Sequence, residues 1–195
     1  MKKCISRYIA VVFIFAATFL MGSTAAYAYT INVSKGYKTT PYEVRLHTDF
    51  TSTQKSAVSA GCKKWADAGC GTLAKVSSYT HTASYPSEDD KNCMSLEDAG
   101  TDYLGQCTWY TSYVLFSKYI DEADINLNSH YSLSTSPSTN QYDIQTIVTH
   151  EVGHALGIGH STESSSPMRS TITSASTGQR ELTQDDIDAI NYIYD

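Results

Sequence analysis

The residues best suited to chemistry lie at positions 150–160, which read HEVGHALGIGH. If this segment is helical, His150 and His154 lie one turn apart on the same face, so two ring nitrogens can bind one metal ion. Glu151 is offset by about 100° and lies beside the metal. A carboxylate there can take a proton from a metal-bound water and deliver it to a leaving amine. The spacing therefore predicts a hydrolytic metal site with Glu151 as its acid–base residue.

The rest of the same string supplies a third ligand. Gly157 can adopt a positive φ, which ends the helix and reverses the chain so that His160 can join His150 and His154. Three protein ligands with a fourth position left to water are typical of a catalytic zinc site. A lone H-E-x-x-H occurs by chance, but here five fixed positions coincide. We therefore predict one zinc ion held by these three histidines.

A methionine, Met168, follows the third histidine by eight residues. The extended histidine motif followed by a methionine resembles the metzincin metalloproteases, and Ser161, directly after His160, resembles their matrixin branch. Segments 142–149 (YDIQTIVT) and 182–190 (LTQDDIDAI) are also similar to matrixins. The resemblance implies an α+β, zincin-like catalytic domain. Such a domain has a twisted mixed sheet with the active-site helix, followed by a small C-terminal lobe that ends in a helix.

The same resemblance implies a function and shows where this chain departs from the family. It implies a zinc endopeptidase that acts on protein or peptide substrates, with Met168 in a Met-turn beneath the zinc ligands. Matrixins usually also hold a structural zinc upstream of the active-site helix, but the corresponding region here offers only His130, with His81 farther away, and no H-x-D pattern. We therefore expect His47, His81 and His130 to be packing or surface residues. The Pro-Arg-Cys-Gly latency motif is absent. Arg-Ser-Thr at 169–171 replaces the common Tyr-Pro, so the family's specificity does not transfer.

The N-terminus predicts a signal peptide over residues 1–28. A basic start precedes an apolar run from residue 9 to residue 20, and residues 26–28 read Ala-Tyr-Ala, an A-x-A cleavage signature. A membrane anchor is the alternative, but the apolar run is short. We expect cleavage after Ala28, secretion to the extracellular space, and one metalloprotease catalytic domain over residues 29–195.

The charge balance of the chain is acidic. The signal peptide contains three of the 14 basic residues and none of the 20 acidic ones. Its loss leaves 11 basic residues against 20 acidic residues, so the net charge changes from −6 to −9. This balance gives no indication of a nucleic-acid partner. We expect a monomer without membrane insertion after cleavage. Two interpretations of the acidic residues stay open. Asp102, Asp121, Asp124 or the acidic run at 88–90 could bind calcium, or they could form a solvated charged face.

Four cysteines remain in the expected mature chain. In an exported protein an even number suggests disulfides, and four cysteines allow three connectivities. We favour Cys62–Cys70 together with Cys93–Cys107. Their spacings match no C-x-x-C zinc pattern.

Apolar periodicity and turn residues predict the order of elements. The expected elements are a strand at 42–47, a helix from Thr51 or Ser52 to about Ala68, a strand at 73–79, an irregular excursion at 81–105, strands at 110–120 and 123–128, a loop at 132–140, the active-site helix from about Asp143, a loop at 161–178, and a last helix capped by Thr183 with Asp186.

Two rival functions share the same fold. One is a secreted adhesion or binding module without turnover, and the intact Glu151 with all three histidines argues against it. The other is a zinc hydrolase of a non-protein amide, which uses the same water chemistry. Cleavage of casein or gelatin that a chelator blocks would distinguish a protease from the binding module.

Overall fold

The computed structural model describes residues 28–33, 36–37, 41–68 and 73–194. In chain order the elements are β1 (Tyr29–Ile31), β2 (Tyr42–His47), α1 (Ser52–Ala66), β3 (Ala74–His81), β4 (Cys93–Glu97), β5 (Gly105–Val114), β6 (Ser117–Asn128), β7 (Leu133–Ser134), β8 (Tyr142–Asp143), α2 (Ile144–Ala155), β9 (Ile158–Ser161) and α3 (Gln184–Tyr194). The predicted signal peptide lies outside the described residues, except for Ala28. Among the described helices, none is long and apolar enough to cross a membrane.

A five-stranded mixed sheet in the order β3-β2-β4-β6-β5 forms the upper part of the domain. All neighbours pair in parallel except β5 and β6, which form an antiparallel hairpin at one edge. In β2, buried residues alternate with half-buried ones, as expected for a strand with one face on the core. The predicted α+β class with a twisted mixed sheet is confirmed.

Two helices pack against one face of this sheet. Thr51 caps α1 through a capping box with Gln54, because each supplies a side-chain acceptor for the other's backbone N–H. At the other end of α1, the buried indole of Trp65 donates to the Thr149 carbonyl of α2 at 2.8 Å. The apolar side chains of both helices share one core with Ile125 and Leu127 of β6.

The opposite face of β6 carries a row of buried polar side chains, and these hold the irregular excursion over the sheet. Glu122 accepts the backbone N–H groups of residues 89 and 90, and Asp124 accepts those of residues 87 and 93. Asn126 and Asn128 bind the backbone of residues 97–103 in the same way. Burial raises the pKa of the Glu122 and Asp124 carboxyl groups. Hydrogen bonds to buried side chains of β6 therefore help to hold this segment in place.

Two expectations about strands were wrong, and one pair of strands was not predicted. The excursion at 81–105 contains β4, which pairs with β6. The expected strand at 110–120 is in fact the turn of the β5–β6 hairpin with parts of both strands. The turn was missed because Leu115 and Phe116 form it without glycine, asparagine or proline, and Leu115 takes φ +56°. The third miss, the pairing of β1 with β9, joins two segments that are far apart in sequence.

The expected Cys93–Cys107 disulfide is also wrong, since both cysteines are free. Cys93 lies on β4 and Cys107 on β5, and β6 runs between these strands. Two strand spacings of about 4.8 Å separate the cysteines by roughly 10 Å, beyond the limit of about 7 Å between Cα atoms of a disulfide. Cys62 is free and buried, and its expected partner Cys70 lies outside the described residues.

The C-terminal lobe packs below the active-site helix. Thr183 and Asp186 form the predicted cap of α3, with Thr183 N–H and hydroxyl both donating to the Asp186 carboxylate. Asp186 also accepts the hydroxyl of Ser166 at 2.6 Å. Because Ser166 lies just before Met168, α3 is tied directly to the segment beneath the histidines.

Candidate metal centre

The active-site helix α2 is fixed at its N-terminus by a buried carboxylate. Asp143 caps the helix by accepting the Thr146 N–H and hydroxyl at 2.8 Å each. Arg180 binds both oxygens of the same carboxylate, at 2.9 and 2.6 Å. Below this cap, almost every side chain of α2 is buried. These contacts set the position and the rotation of α2, and therefore the position of its histidines.

His150 and His154 project from consecutive turns of α2, and each ring is oriented by a backbone carbonyl. The Nδ1 atom of His150 is 2.7 Å from the Pro167 carbonyl oxygen, and that of His154 is 2.8 Å from the Ile158 carbonyl oxygen. A carbonyl only accepts, so each Nδ1 carries the proton and each Nε2 keeps its lone pair. The two Nε2 atoms are 3.0 Å apart. This separation is close to the roughly 3.3 Å expected between two imidazole ligands of one tetrahedral zinc ion with bonds of about 2.0–2.1 Å.

The turn after α2 brings in the third histidine. Gly157 has φ +101°, a conformation that favours glycine, and its N–H donates to the His154 carbonyl. The chain then enters β9, which carries His160 and pairs with β1. One ligating atom each from His150, His154 and His160 lies within 4.8 Å of the others. The sequence motif therefore predicted the grouping of the three rings but not the strand pair that holds the third.

The three rings fit a zinc ion by their chemistry as well as by their spacing. Burial lowers the pKa of His150 to about 3 and that of His154 to about 4. Both rings are therefore neutral near pH 7 and can donate a lone pair. His160 is exposed, so one side of the cluster opens to solvent. Three imidazoles with an open side are a donor set that suits zinc.

Glu151 is buried beside the cluster, at the back of the cleft. Burial raises the pKa of its carboxyl group to about 8, because little solvent reaches the charged form. Space for this side chain depends on Gly105 of β5: a Cβ atom there would lie 2.7 Å from Glu151 Oε1 and 2.9 Å from its Cγ. The sequence analysis missed Gly105 because it placed this residue at the end of the irregular excursion, whereas the structure makes it the first residue of β5.

Met168 lies beneath the histidines, as the family resemblance implied. It is fully buried, and a Cβ atom on Gly153 would lie 2.3 Å from its sulfur. Gly153 precedes His154, so the thioether packs against α2 between the two histidine positions. The neighbouring Pro167 supplies the carbonyl that orients His150. Met168 is thus a packing residue of the site, and the loop at 161–178 has a defined role.

A cleft of about 610 Å³ runs past the histidines. One wall is the edge strand β5 with the residues just before it, and the other is the segment after Met168. Besides the three histidines and Glu151, the lining residues are Asn32, Asp102, Tyr103, Leu104, Gly105, Gln106, Cys107, Trp109, Tyr131, Ser170, Thr171 and Ile172. Trp109 packs edge-on to the His154 ring, with 6.4 Å between centroids. These wall residues come from distant segments, and no local motif marks them.

Apart from Asp102, which lines the cleft, the other histidines and the acidic candidates lie outside its lining. His47 and His81 pack against each other with ring centroids 5.2 Å apart, and His130 lies 3.3 Å from Asp98. Both oxygens of Asp124 accept backbone N–H groups. Across the part of the chain that the structure describes, the three motif histidines are the only cluster of three or more His, Cys, Asp or Glu side chains close enough to share a metal.

Fold and site together define a metzincin-type catalytic domain: a mixed sheet with an antiparallel edge strand, an active-site helix with two histidines, and a third histidine after a glycine turn above a buried methionine. The chain belongs to the matrixin family of M10 peptidases, whose family model matches residues 55–195.

Known relatives agree with this assignment. The chain is 27% identical to metalloendoproteinase 1 of Glycine max over 154 residues, which is 73% of this chain and 46% of that protein. It is 46% identical to metalloendoproteinase 2-MMP of Arabidopsis thaliana over 54 residues, 27% of this chain and 14% of that protein. It is 30% identical to metalloprotease AprA of Pseudomonas entomophila over 111 residues, 57% of this chain and 21% of that protein. The chain thus spans less than half the length of each of these relatives.

Proposed function

We propose that residues 29–195 form a secreted zinc endopeptidase, with His150, His154 and His160 as zinc ligands and Glu151 as the acid–base residue. The observation that supports this best is the pair of Nδ1 contacts to backbone carbonyls, which leaves the Nε2 atoms of His150 and His154 facing the same point beside Glu151. When bound, zinc would supply Lewis-acid polarisation of the substrate carbonyl and a lowered pKa for a water at its open position.

Glu151 would move the proton in this reaction. A cation held beside the buried carboxyl group would favour its ionised form. In that form Glu151 holds the attacking water, takes the proton as the water attacks the peptide carbonyl, and passes that proton to the nitrogen of the breaking bond. No serine or cysteine nucleophile is needed, so no covalent intermediate with the chain forms. Gly105 contributes by leaving room for the Glu151 side chain against β5.

An extended peptide is the substrate that the shape of the cleft favours. β5 pairs only with β6 among the described strands, so its outer edge presents backbone N–H and C=O groups next to the histidines. A peptide can add to such an edge as a further strand, and backbone hydrogen bonds then hold it largely independent of sequence. Trp109, Tyr131 and Ile172 supply apolar wall for substrate side chains. A single small amide would fill little of the cleft volume of about 610 Å³.

The test uses the processed chain, its Glu151→Gln variant and casein. We expect wild type to cleave casein with zinc present and to lose cleavage with a chelator. The variant should bind zinc at one equivalent and lose at least 10³-fold in kcat, because only the proton carrier is removed. Peptide-library profiling of wild type then gives the sequence preference.

Three results would contradict the proposal. Full casein cleavage by the Glu151→Gln variant would remove the assigned role of Glu151. Zinc binding by wild type without cleavage of any peptide would favour the binding-module alternative. Cleavage of a small acylated amine but of no peptide would favour the non-protein amide. N-terminal sequencing of the secreted product tests the expected cleavage after Ala28.

A further inference from the structure

The turn of the β5–β6 hairpin exposes a continuous apolar group. Leu115 is 89% exposed and Phe116 is 99% exposed, and they follow Tyr113 at 69% and Val114 at 46%. We call residues 113–116 the hairpin tip. Single exposed apolar residues are common, but four in succession at one point indicate contact with another apolar surface.

The hairpin tip projects away from the rest of the sheet. β4 pairs with β6 only from Ile125 to Asn128, and one isolated bridge joins Tyr37 to Ile120. Nearer the turn, β5 and β6 have only each other as strand partners among the described residues. At about 3.3 Å per residue, Phe116 extends roughly 13 Å beyond Ile120. The apolar group is therefore the end of a narrow ribbon, not part of a flat face.

This shape and composition fit a lipid surface better than a second copy or another protein. A standard protein interface uses about 20–30 residues on each side, and the hairpin tip offers four. From Gly105 to Ile120 the only charged residue is Lys118, whereas tyrosines at 110 and 119 flank the tip and Tyr113 is its first residue. Fully apolar residues at a point with tyrosines behind them match the pattern of groups that enter the boundary between headgroups and acyl chains.

We propose that the hairpin tip inserts into the surface of a zwitterionic phospholipid bilayer, holding the domain reversibly at the membrane. The expected depth of about 5–10 Å is within the length of the projecting ribbon. Trp109, the last residue of β5 that lines the cleft, is five residues from Val114, or roughly 17 Å along the strand. The cleft therefore stays free when the tip is inserted. The proposal does not depend on zinc or on catalysis, so the Glu151→Gln variant should bind membranes like wild type.

The experiment measures sedimentation of the processed chain with phosphatidylcholine vesicles. The test variant is Leu115→Asn with Phe116→Ser, and asparagine suits position 115 because φ there is +56°. The matched control is Tyr192→Ser, which removes an aromatic residue of 74% exposure from α3. We expect wild type and the control to partition equally, and the double variant to lose at least tenfold in partition coefficient with unchanged casein cleavage.

A second measurement locates the contact. The chain has two native tryptophans, Trp65 and Trp109, and a Phe116→Trp variant adds a third at the tip. Brominated phosphatidylcholine should quench the extra fluorescence that this substitution adds. Equal vesicle binding by wild type and the double variant, or no binding by wild type, would overturn the proposal. Binding that occurs only with anionic vesicles and is lost in high salt would also overturn the proposal, because insertion of an apolar tip does not depend on charge. So would a wild-type dimer that the double variant converts to monomer, since the tip would then be a self-association site.

Discussion

At the scale of single residues, the candidate site depends as much on the neighbours of the histidines as on the histidines themselves. The Pro167 and Ile158 carbonyls decide which nitrogen of His150 and of His154 is free. Ligand partners of this kind commonly change metal affinity by 10- to 100-fold. Both carbonyls are backbone atoms, so a side-chain substitution cannot delete them. Met168 and Gly157 matter because they place those backbone segments.

Gly105 gives a prediction at this scale. In Gly105→Ala the new Cβ would meet Glu151 and the Ile147 side chain, which lies 2.8 Å away, so Glu151 must shift. A displacement of the proton carrier by about 1 Å can cost on the order of 10²-fold. We expect kcat for a peptide substrate to fall about 10- to 100-fold, with zinc content unchanged.

Steady-state kinetics with metal analysis checks this expectation. Gly178→Ala is the matched control, because its nearest neighbour is Ser176 Oγ at 3.4 Å and the added methyl group fits. If Gly105→Ala keeps wild-type kcat, then Glu151 tolerates the crowding and its position is not critical.

At the scale of elements, the N-terminus of α2 holds the whole site in place. Asp143 is completely buried, and its charge is matched by Arg180, whose side chain is 29% exposed. Arg180 also donates to the Thr135 carbonyl, so one guanidinium joins α2, the loop before it and the segment before α3. Removal of one partner of a buried ion pair leaves an uncompensated charge, which costs more than the pair itself contributes.

Arg180→Ala should therefore reduce the free energy of unfolding by about 2–4 kcal/mol, measured by chemical denaturation. Lys63→Ala is the control, since Lys63 and Asp67 form an ion pair with side chains 69% and 61% exposed. That variant should change stability by less than about 0.5 kcal/mol. A loss for Arg180→Ala no larger than for the control would show that the Asp143 carboxylate is stabilised without Arg180.

At the scale of the whole molecule, local patterns predicted the site and long-range pairing determined the rest. The motif at 150–160 predicted helix, turn and ligand grouping because all of its information is local. The hairpin turn at Leu115 was missed because the β5–β6 pairing imposes a conformation that leucine does not favour by itself. Likewise, the sequence does not show that the polar row on β6 is buried. Its burial depends on the excursion, whose backbone hydrogen-bonds to Asn126 and Asn128. Alternation alone cannot distinguish such a polar face from a solvated one.

The histidine cluster links the two lobes, and this linkage predicts how zinc affects stability. His150 and His154 belong to α2, whereas His160 lies on β9, which is paired with β1 and in contact with α3. An ion bound by all three exists only in the folded chain, so it stabilises that state by mass action. With free zinc at 100 times its Kd, the free energy of unfolding should exceed that of the chelated protein by about 2.7 kcal/mol.

Denaturant unfolding with and without zinc measures this difference. His160→Ala should lose most of it, because two imidazoles bind zinc far more weakly than three. His130→Ala, which removes a histidine remote from the cluster, should keep the full gain. An equal gain for His160→Ala and wild type would show that residue 160 is not a ligand. No gain in wild type would mean that the convergence of the three rings does not produce a zinc site.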